Sequence, residues 1–324
     1  MIEFADALKS SRAYNLIKHD IDTGNLSHAY MVISPDTLAL NNLFEIVACA
    51  VYCKDDACLA CTTCHRILHG NHADVKFINS DNKNLKVEDV ESLIDDTGTR
   101  PFESDHKLYF VFSADKMNAA AQNKLLKTLE EPQKTVTIFL GVSRESAMLD
   151  TVKSRTKKIT LDRFSQEEIS SALKEEGFPS DSAETAAACA DGMLGRAKEI
   201  AEDKSFAENY AQTVNVFKNL KKSGDVASFL NEKVLDKERL PVFLDIASLI
   251  VRDMMAAKTD ERLITNKRTA EEVKAMSREY SLLALSNILY LINEERKKLN
   301  VYVSSVGIAE NLLLGILEVK YKCR

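Results

Sequence analysis

The sequence predicts an α/β domain with a mainly parallel sheet, followed by regions that are helical throughout. Three observations support this prediction. Short, β-rich apolar runs alternate with segments whose apolar residues recur at helical spacing in the first half of the chain. The β pattern ends after Arg163, and from Phe206 onward the apolar patterns are helical. The fold class is therefore α/β plus all-α.

The predicted strands are five short apolar runs, which lie at residues 29–33, 75–78, 108–112, 136–140 and 158–161. Segments whose apolar residues recur at helical spacing lie between these strands. After the first strand, apolar residues recur at Leu40, Leu43, Phe44, Val47 and Val51. Alternation of this kind favours a doubly wound parallel sheet.

The second half of the chain carries helix-start and helix-stop signals. Ser165 and Glu168 form a capping-box pattern, in which serine and a glutamate three residues later satisfy backbone N–H groups at a helix start. Glycines at 177 and within 192–195 mark breaks between short helices. We expect a sheet domain at 1–162, a three-helix lid at 163–205 and a helical domain at 206–324.

Composition narrows the class of protein. The chain of 324 residues has a formal net charge of -6, which argues against a dedicated nucleic-acid-binding protein. It contains no apolar stretch long enough to span a bilayer, and its first residues lack the features of a secretory signal. The sequence therefore predicts a cytoplasmic protein with no membrane partner.

A cysteine cluster predicts a metal site. Cys53, Cys58, Cys61 and Cys64 fall within twelve residues, and cytosolic cysteines usually stay reduced, so this spacing favours a tetrahedral, structural Zn²⁺ over disulfides. Four unrelated buried thiols are the alternative, which the polar residues between them disfavour. Cys49 is an alternative to Cys53 as a ligand. Two further cysteines are predicted to be isolated thiols, Cys189 and Cys323.

The loop after the first strand lacks the residues of a phosphate-binding loop. Such a loop needs glycines for close backbone approach, a lysine for the phosphates and a hydroxyl for magnesium. Residues 34–39 read Ser-Pro-Asp-Thr-Leu-Ala, without glycine or lysine, and Asp36 places negative charge where phosphates would bind. We expect this chain to bind no ATP.

One segment identifies a family resemblance. The run from Asn118 to Pro132, Asn-Ala-Ala-Ala-Gln-Asn-Lys-Leu-Leu-Lys-Thr-Leu-Glu-Glu-Pro, and the later pair Ser154-Arg155 resemble bacterial clamp-loader subunits of the AAA+ superfamily. The resemblance covers the N-terminal half well, whereas the C-terminal half matches only in length and helical character. It implies an AAA+ type sheet domain with a zinc module, a helical lid and a helical collar for oligomerisation.

The resemblance also implies a function. Ser113 and Ala114 stand where a hydrolytic relative carries an acidic pair. The resemblance therefore implies a subunit that hydrolyses no ATP itself. In the family, the arginine of a Ser-Arg-Cys motif reaches the ATP site of the adjacent subunit, and Ser154-Arg155-Thr156 matches its first two positions. The implied partners are ATP-binding gamma or tau type subunits, a delta subunit, the sliding clamp indirectly and primer-template DNA, within a DNA polymerase holoenzyme.

Several alternatives remain open at this point. Arg155 has lysines around it and could belong to a solvated basic loop, and Arg196, at the position of a nucleotide-sensing arginine, is interpreted as structural. Lys124 and Lys127 could approach DNA in an assembled ring, or simply be solvated. The family's zinc module has a longer gap after its first cysteine, which leaves Cys53 the least certain ligand. The whole chain could instead be an active AAA+ ATPase or helicase-like remodeller with a divergent nucleotide loop, or a zinc-dependent nucleic-acid-binding protein.

Overall fold

The structure, a computed structural model, describes residues 2–80, 85–231, 235–299 and 304–322. In chain order its helices and strands are α1 (Ala5–Ser10), α2 (Arg12–Asp22), β1 (Ala29–Ile33), α3 (Thr37–Tyr52), α4 (Thr62–Leu68), β2 (Val75–Ile78), α5 (Val87–Thr97), β3 (Lys107–Val111), α6 (Ala119–Glu130), β4 (Val136–Val142), α7 (Asp150–Lys153), β5 (Lys157–Thr160), α8 (Gln166–Glu175), α9 (Ser180–Cys189), α10 (Leu194–Glu202), α11 (Phe206–Asn219), α12 (Ser223–Asn231), α13 (Leu240–Thr259), α14 (Ala270–Ser277), α15 (Leu282–Lys298) and α16 (Ser305–Lys322). Cys323 lies outside the described residues.

The strands form one parallel sheet in the order β2-β3-β4-β1-β5. Helices connect successive strands, as parallel pairing requires. The predicted α/β class with a doubly wound parallel sheet is confirmed. Because all strands run in the same direction, the loops after β1, β3 and β4 leave the sheet at the carboxyl ends of the strands. Open α/β sheets bind their ligands at this side.

A row of aromatic rings crosses one face of the sheet. Phe77, Phe110, Phe139 and Tyr30 stack in that order on β2, β3, β4 and β1, with ring centroids 4.7–5.3 Å apart. Phe44 of α3 covers the row and contacts Phe110 and Phe139. Close packing of this kind fixes α3 on the sheet. The apolar core on the opposite face includes side chains from α5 and α6.

Capping side chains mark where loops end and the next helices begin. Asp36 caps α3, with its carboxylate accepting a hydrogen bond from the N–H of Ala39. Asn118 caps α6 in the same way through the N–H of Ala121. The capping box predicted at Ser165 is present at the start of α8. These side chains satisfy N–H groups that the first turn of a helix leaves unpaired.

The chain divides into two compact units, Met1–Lys198 and Glu199–Arg324. The first unit contains the sheet, α1 to α9 and the start of α10, and the second contains α11 to α16. Further division of the first unit at residue 162 stays a prediction. Inside the second unit α13 packs against α11, α14 and α15, and α16 packs against α12 and α15. No helix in the described ranges combines the length and apolar character that crossing a membrane requires.

Candidate functional site

Four cysteine sulfurs meet where α3 ends and α4 begins. Cys53 directly follows α3, Cys61 caps α4, and Cys64 lies in the first turn of α4. The Sγ atoms of these residues and of Cys58 lie within 4.8 Å of one another. The structure thus brings together the four cysteines of the predicted zinc site, and their role as ligands stays a prediction. Cys189 is buried at the end of α9.

Backbone N–H groups point at these sulfurs. The N–H of Cys58 donates to Sγ of Cys53 at 3.5 Å, that of Cys61 to Cys58 at 3.3 Å, and that of Cys64 to Cys61 at 3.4 Å. Hydrogen bonds to a thiolate favour the charged form. The N–H groups of Ala60 and Cys61 lower the pKa of the Cys58 thiol to about 7. The turn therefore stabilises the deprotonated sulfur that a metal requires.

This donor set fits a zinc ion. Four sulfurs bound at ~2.3 Å in a tetrahedron lie about 3.8 Å apart. The Sγ of Cys53 lies 3.5 Å from that of Cys58 and 3.8 Å from that of Cys61, close to this spacing. Cys49 does not belong to this group of sulfurs; it is buried on α3, and burial raises the pKa of its thiol to about 12.

Side chains of α1 and α2 form hydrogen bonds with the turn between Cys53 and Cys58. Asp56 and Ala57 both adopt left-handed backbone conformations, with φ of 47° and 51°. The ammonium of Lys9 donates to their carbonyl oxygens at 3.2 Å and 2.7 Å, and the hydroxyl of Tyr14 donates to the carboxylate of Asp56 at 2.6 Å. Sequence reasoning missed Lys9 and Tyr14, because no motif links them to Asp56 and Ala57, which lie more than 40 positions away.

The carboxylate of Asp36, in the loop after β1, accepts hydrogen bonds from the starts of two helices. One oxygen of Asp36 accepts from the N–H of Ala39 at 3.1 Å, and the other accepts from the N–H of Gly195, at the start of α10, at 3.0 Å. A Cβ on Gly195 would lie 2.7 Å from the Asp36 carboxylate. The adjoining cavity has a volume of about 10 Å³. Asp36 therefore neutralises the N-termini of two helices, α3 and α10, which would otherwise attract an anion.

The loops after β3 and β4 are joined by a second carboxylate. Ser113 and Ala114 follow β3, as the sequence indicates, and Asp115 comes next. Its carboxylate accepts hydrogen bonds from the N–H of Ser143 at 3.2 Å and from the Ser143 hydroxyl at 2.6 Å. Asp115 is buried and bonded to this serine. Its contacts are those of a structural residue that joins two loops.

Arg155 lies in the loop between α7 and β5, with its side chain 35 % exposed. Its Nη2 lies 2.7 Å from Oε1 of Glu130, the last residue of α6, and its Nη1 donates to the carbonyl oxygen of Thr151 at 3.0 Å. The guanidinium is thus held at the surface. Sequence reasoning did not foresee Glu130 as its partner.

The other basic residues considered from the sequence have ordinary surroundings. Lys124 pairs with Glu91 of α5. Lys127 is exposed in the last turn of α6, and Arg196 is half-buried in the first turn of α10. None of them adds a ligand to the cysteine cluster.

The chain is similar to known proteins over much of its length. Residues 9–165 match the family model described as DNA polymerase III, delta subunit. The chain is also 25% identical over 316 residues to the DNA polymerase III subunit delta' of Bacillus subtilis, which covers 95% of this chain and 96% of that protein. The chain resembles the delta-prime subunits of bacterial DNA polymerase III. A delta-prime subunit from Haemophilus influenzae is 28% identical over 146 residues, which span 44% of this chain and 45% of that protein.

Other proteins are similar to this chain over longer or shorter spans. The tau subunit of DNA polymerase III from Bacillus subtilis is 22% identical, over 91% of this chain and 58% of that protein. A gamma subunit-related protein of DNA polymerase III from Thermotoga maritima, of known structure, is 15% identical with a TM-score of 0.40, covering 94% of this chain and 99% of that one.

Proposed function

We propose that this chain is the non-hydrolysing delta-prime subunit of a cytoplasmic clamp loader, which helps place the sliding clamp on primed DNA. It would supply Arg155 to the ATP site of a neighbouring gamma or tau type subunit. In this proposal the chain contributes to hydrolysis in trans, on a nucleotide that it does not bind. A delta subunit, the clamp and primer-template DNA are its other proposed partners in the assembly.

The observation that carries the proposal is the position of Asp36. A triphosphate would need the N–H groups at the start of α3, where the carboxylate of Asp36 already accepts a hydrogen bond from Ala39. Its second oxygen is bonded to Gly195. A nucleotide would have to displace a buried, hydrogen-bonded charge and would meet no lysine in residues 34–39. This arrangement disfavours the alternative of an active AAA+ ATPase.

The magnesium side of the site supports the same conclusion. Hydrolysis by this class of enzyme needs an acidic group that holds Mg²⁺ or orients water. Neither Ser113 nor Ala114 carries an acidic group, and the carboxylate of Asp115 is engaged by Ser143. These contacts at the end of β3 support a subunit that hydrolyses no ATP itself.

Arg155 has the chemistry that a finger residue requires. A guanidinium is always charged and planar, and it can donate several parallel hydrogen bonds to phosphate oxygens. Held at the surface rather than in the core, the side chain can reach a nucleotide bound by an adjacent subunit. There it would neutralise charge that develops on the γ-phosphoryl group in the transition state.

The proposed zinc ion has a structural role. Bound by Cys53, Cys58, Cys61 and Cys64, it would supply folding free energy to the turn between α3 and α4. Thiolates would occupy all four positions, which leaves none for water activation.

The helices of the second unit are proposed to form the collar that joins the chain to its neighbours. Exposed apolar residues on α15 and α16 suit this role, among them Leu283, Tyr290, Val306 and Leu314.

A reconstituted loader tests the proposal. Pre-steady-state, DNA-stimulated ATP hydrolysis counts the nucleotides consumed per ring, and native chain, Arg155→Ala and Arg155→Lys are compared at equal assembly. We expect Arg155→Ala to remove the hydrolysis phase of one neighbouring site, and Arg155→Lys to restore it only in part, because lysine keeps the charge and loses the planar donor set. Unchanged hydrolysis in Arg155→Ala would contradict the proposal.

A further inference from the structure

The side chain of Arg155 is held by an acidic residue of its own chain. Nη2 of Arg155 lies 2.7 Å from Oε1 of Glu130, and the two side chains are 35 % and 49 % exposed. Glu130 is the last residue of α6, and Arg155 lies beyond α7, so the ion pair joins two elements that are 25 positions apart in sequence. The pair stands at the surface from which the finger would act.

The rest of the arginine is fixed as well. Nη1 donates to the carbonyl oxygen of Thr151 at 3.0 Å, which orients the guanidinium plane from its other side. Nε2 of His28 lies 3.0 Å from the backbone carbonyl oxygen of Arg155, and because that oxygen can only accept, the ring nitrogen is the donor. Among the described residues, Glu130 makes the only charged contact with Arg155. Thr151 and His28 hold the rest of the side chain and the backbone through hydrogen bonds.

We propose that Glu130 is a positioning residue for Arg155, an inference that rests on the finger role proposed above. An arginine side chain populates many rotamers, and this freedom must be lost before it can act in one geometry. Pairing with Glu130 removes part of that freedom in the isolated subunit. The finger is then already extended along one direction when the neighbouring nucleotide arrives.

The strength of the pair suits a temporary hold. Exposed ion pairs are weak because water screens them. A nucleotide bound by a neighbour carries more negative charge than one carboxylate, and it presents several acceptor oxygens in a less exposed site. The guanidinium can therefore pass from Glu130 to the phosphate without a large opposing cost. A buried, fully desolvated pair would hold the arginine too firmly for such an exchange.

The next residue in the chain offers a matched control. Glu131 is also exposed and directly follows α6, and no ion pair joins it to Arg155 in the described part of the chain. Glu130→Gln and Glu131→Gln remove the same charge from neighbouring positions. A general effect of surface charge on assembly or DNA binding would appear in both variants, whereas a positioning effect appears only in Glu130→Gln.

The experiment follows the hydrolysis phase that Arg155→Ala removes from the reconstituted loader. In Glu130→Gln we expect this phase to keep its amplitude and its dependence on ATP concentration, while its rate constant falls about two- to fivefold, the range that corresponds to an exposed ion pair. Glu131→Gln should match the native chain. Because the effect acts through the arginine, Glu130→Gln combined with Arg155→Ala should equal Arg155→Ala alone.

The outcomes separate this inference from the proposed function. If Arg155→Ala leaves hydrolysis unchanged, the finger role itself fails. If Arg155→Ala removes the phase and Glu130→Gln behaves like Glu131→Gln, only the positioning role of Glu130 is overturned. A faster phase in Glu130→Gln would also overturn it, since the carboxylate would then restrain the finger. Thermal melting and the size of the assembled ring establish that each variant folds and assembles.

Discussion

The ammonium of Lys9 donates a 2.7 Å hydrogen bond to the carbonyl oxygen of Ala57, inside the turn that carries the cysteine cluster. Ala57 is buried and has a left-handed backbone conformation, which costs free energy for a residue other than glycine. The contact with Lys9 helps to offset that cost. The conformation of the proposed zinc turn thus depends on the first helix of the chain.

Replacing Lys9 by methionine should therefore weaken metal retention. The substitution keeps the length and apolar stem of the side chain but removes the donor to Asp56 and Ala57. We expect zinc to leave the variant about ten-fold faster in a chelator, as for other residues that support metal ligands. Lys54→Met, on an exposed lysine of the same turn, is the control and should release zinc at the native rate.

The identity of the fourth ligand can be tested by serine substitutions. Cys53 belongs to the group of converging sulfurs and Cys49 does not, although both lie near the end of α3. Cys53→Ser should abolish stoichiometric zinc and lower the melting temperature, because a serine hydroxyl is a poor zinc ligand. Cys49→Ser should retain the metal. Metal analysis of the purified variants decides it, and the reverse pattern would make Cys49 the ligand.

Gly195 should tolerate no side chain. A Cβ at this position would lie 2.7 Å from the Asp36 carboxylate and 2.9 Å from Leu38, so Gly195→Ala should cost about 1–3 kcal/mol of stability by overpacking. Gly224→Ala, where the nearest atom outside the chain neighbours is 4.0 Å away, should be neutral or stabilising. Urea unfolding compares them. An unperturbed Gly195→Ala would contradict the close contact between Asp36 and α10.

Asp74 should make the stability of the first unit depend on acidic pH. Burial disfavours its ionised form, but hydrogen bonds from the N–H groups of residues 102–104 and the Ser104 hydroxyl outweigh burial and lower its pKa. Its contribution is therefore present above the unfolded pKa of about 3.9 and is lost as pH falls through the lower folded value.

Unfolding of Asp74→Asn measures this contribution. At neutral pH the variant should be about 1.5–3 kcal/mol less stable than the native chain, since hydrogen bonds to a charged group are lost. The difference should shrink as the pH falls below about 4, where the carboxyl group of the unfolded chain becomes protonated, and it should be lost below the lower pKa of the folded state. Asp105→Asn, at an exposed position in the loop whose N–H groups bind Asp74, is the control and should show no such difference. A difference that stays constant with pH would contradict the account.

Local patterns in the sequence were sufficient to predict the strands. The predicted ranges for β1 and β2 coincide with those of the structure, and the other three differ by one or two residues at one or both ends. β1, β3 and β4 are short, mostly apolar runs, and burial on both faces of a parallel sheet produces that pattern. The aromatic row of Phe77, Phe110, Phe139 and Tyr30 was not predicted, because it depends on strand order and register, which pairing across the sheet determines.

The candidate site divides in the same way. The spacing of Cys53, Cys58, Cys61 and Cys64 is local, so the sequence predicted that their sulfurs converge. Asp36 was noticed as an obstacle to phosphate, but its bond to Gly195 joins residues 159 positions apart and could not be read from a motif. In the same way, no motif in the sequence links Glu130 to Arg155.

The central claim is that this chain acts on a neighbour's nucleotide and binds none of its own. Calorimetric titration of the isolated chain with Mg²⁺ and ATP tests it most directly, with an ATP-binding gamma or tau type subunit as the positive control. The account predicts no saturable binding at millimolar ATP, because Asp36 occupies the N-termini of α3 and α10. Saturable binding of one ATP per chain at micromolar concentration would contradict it.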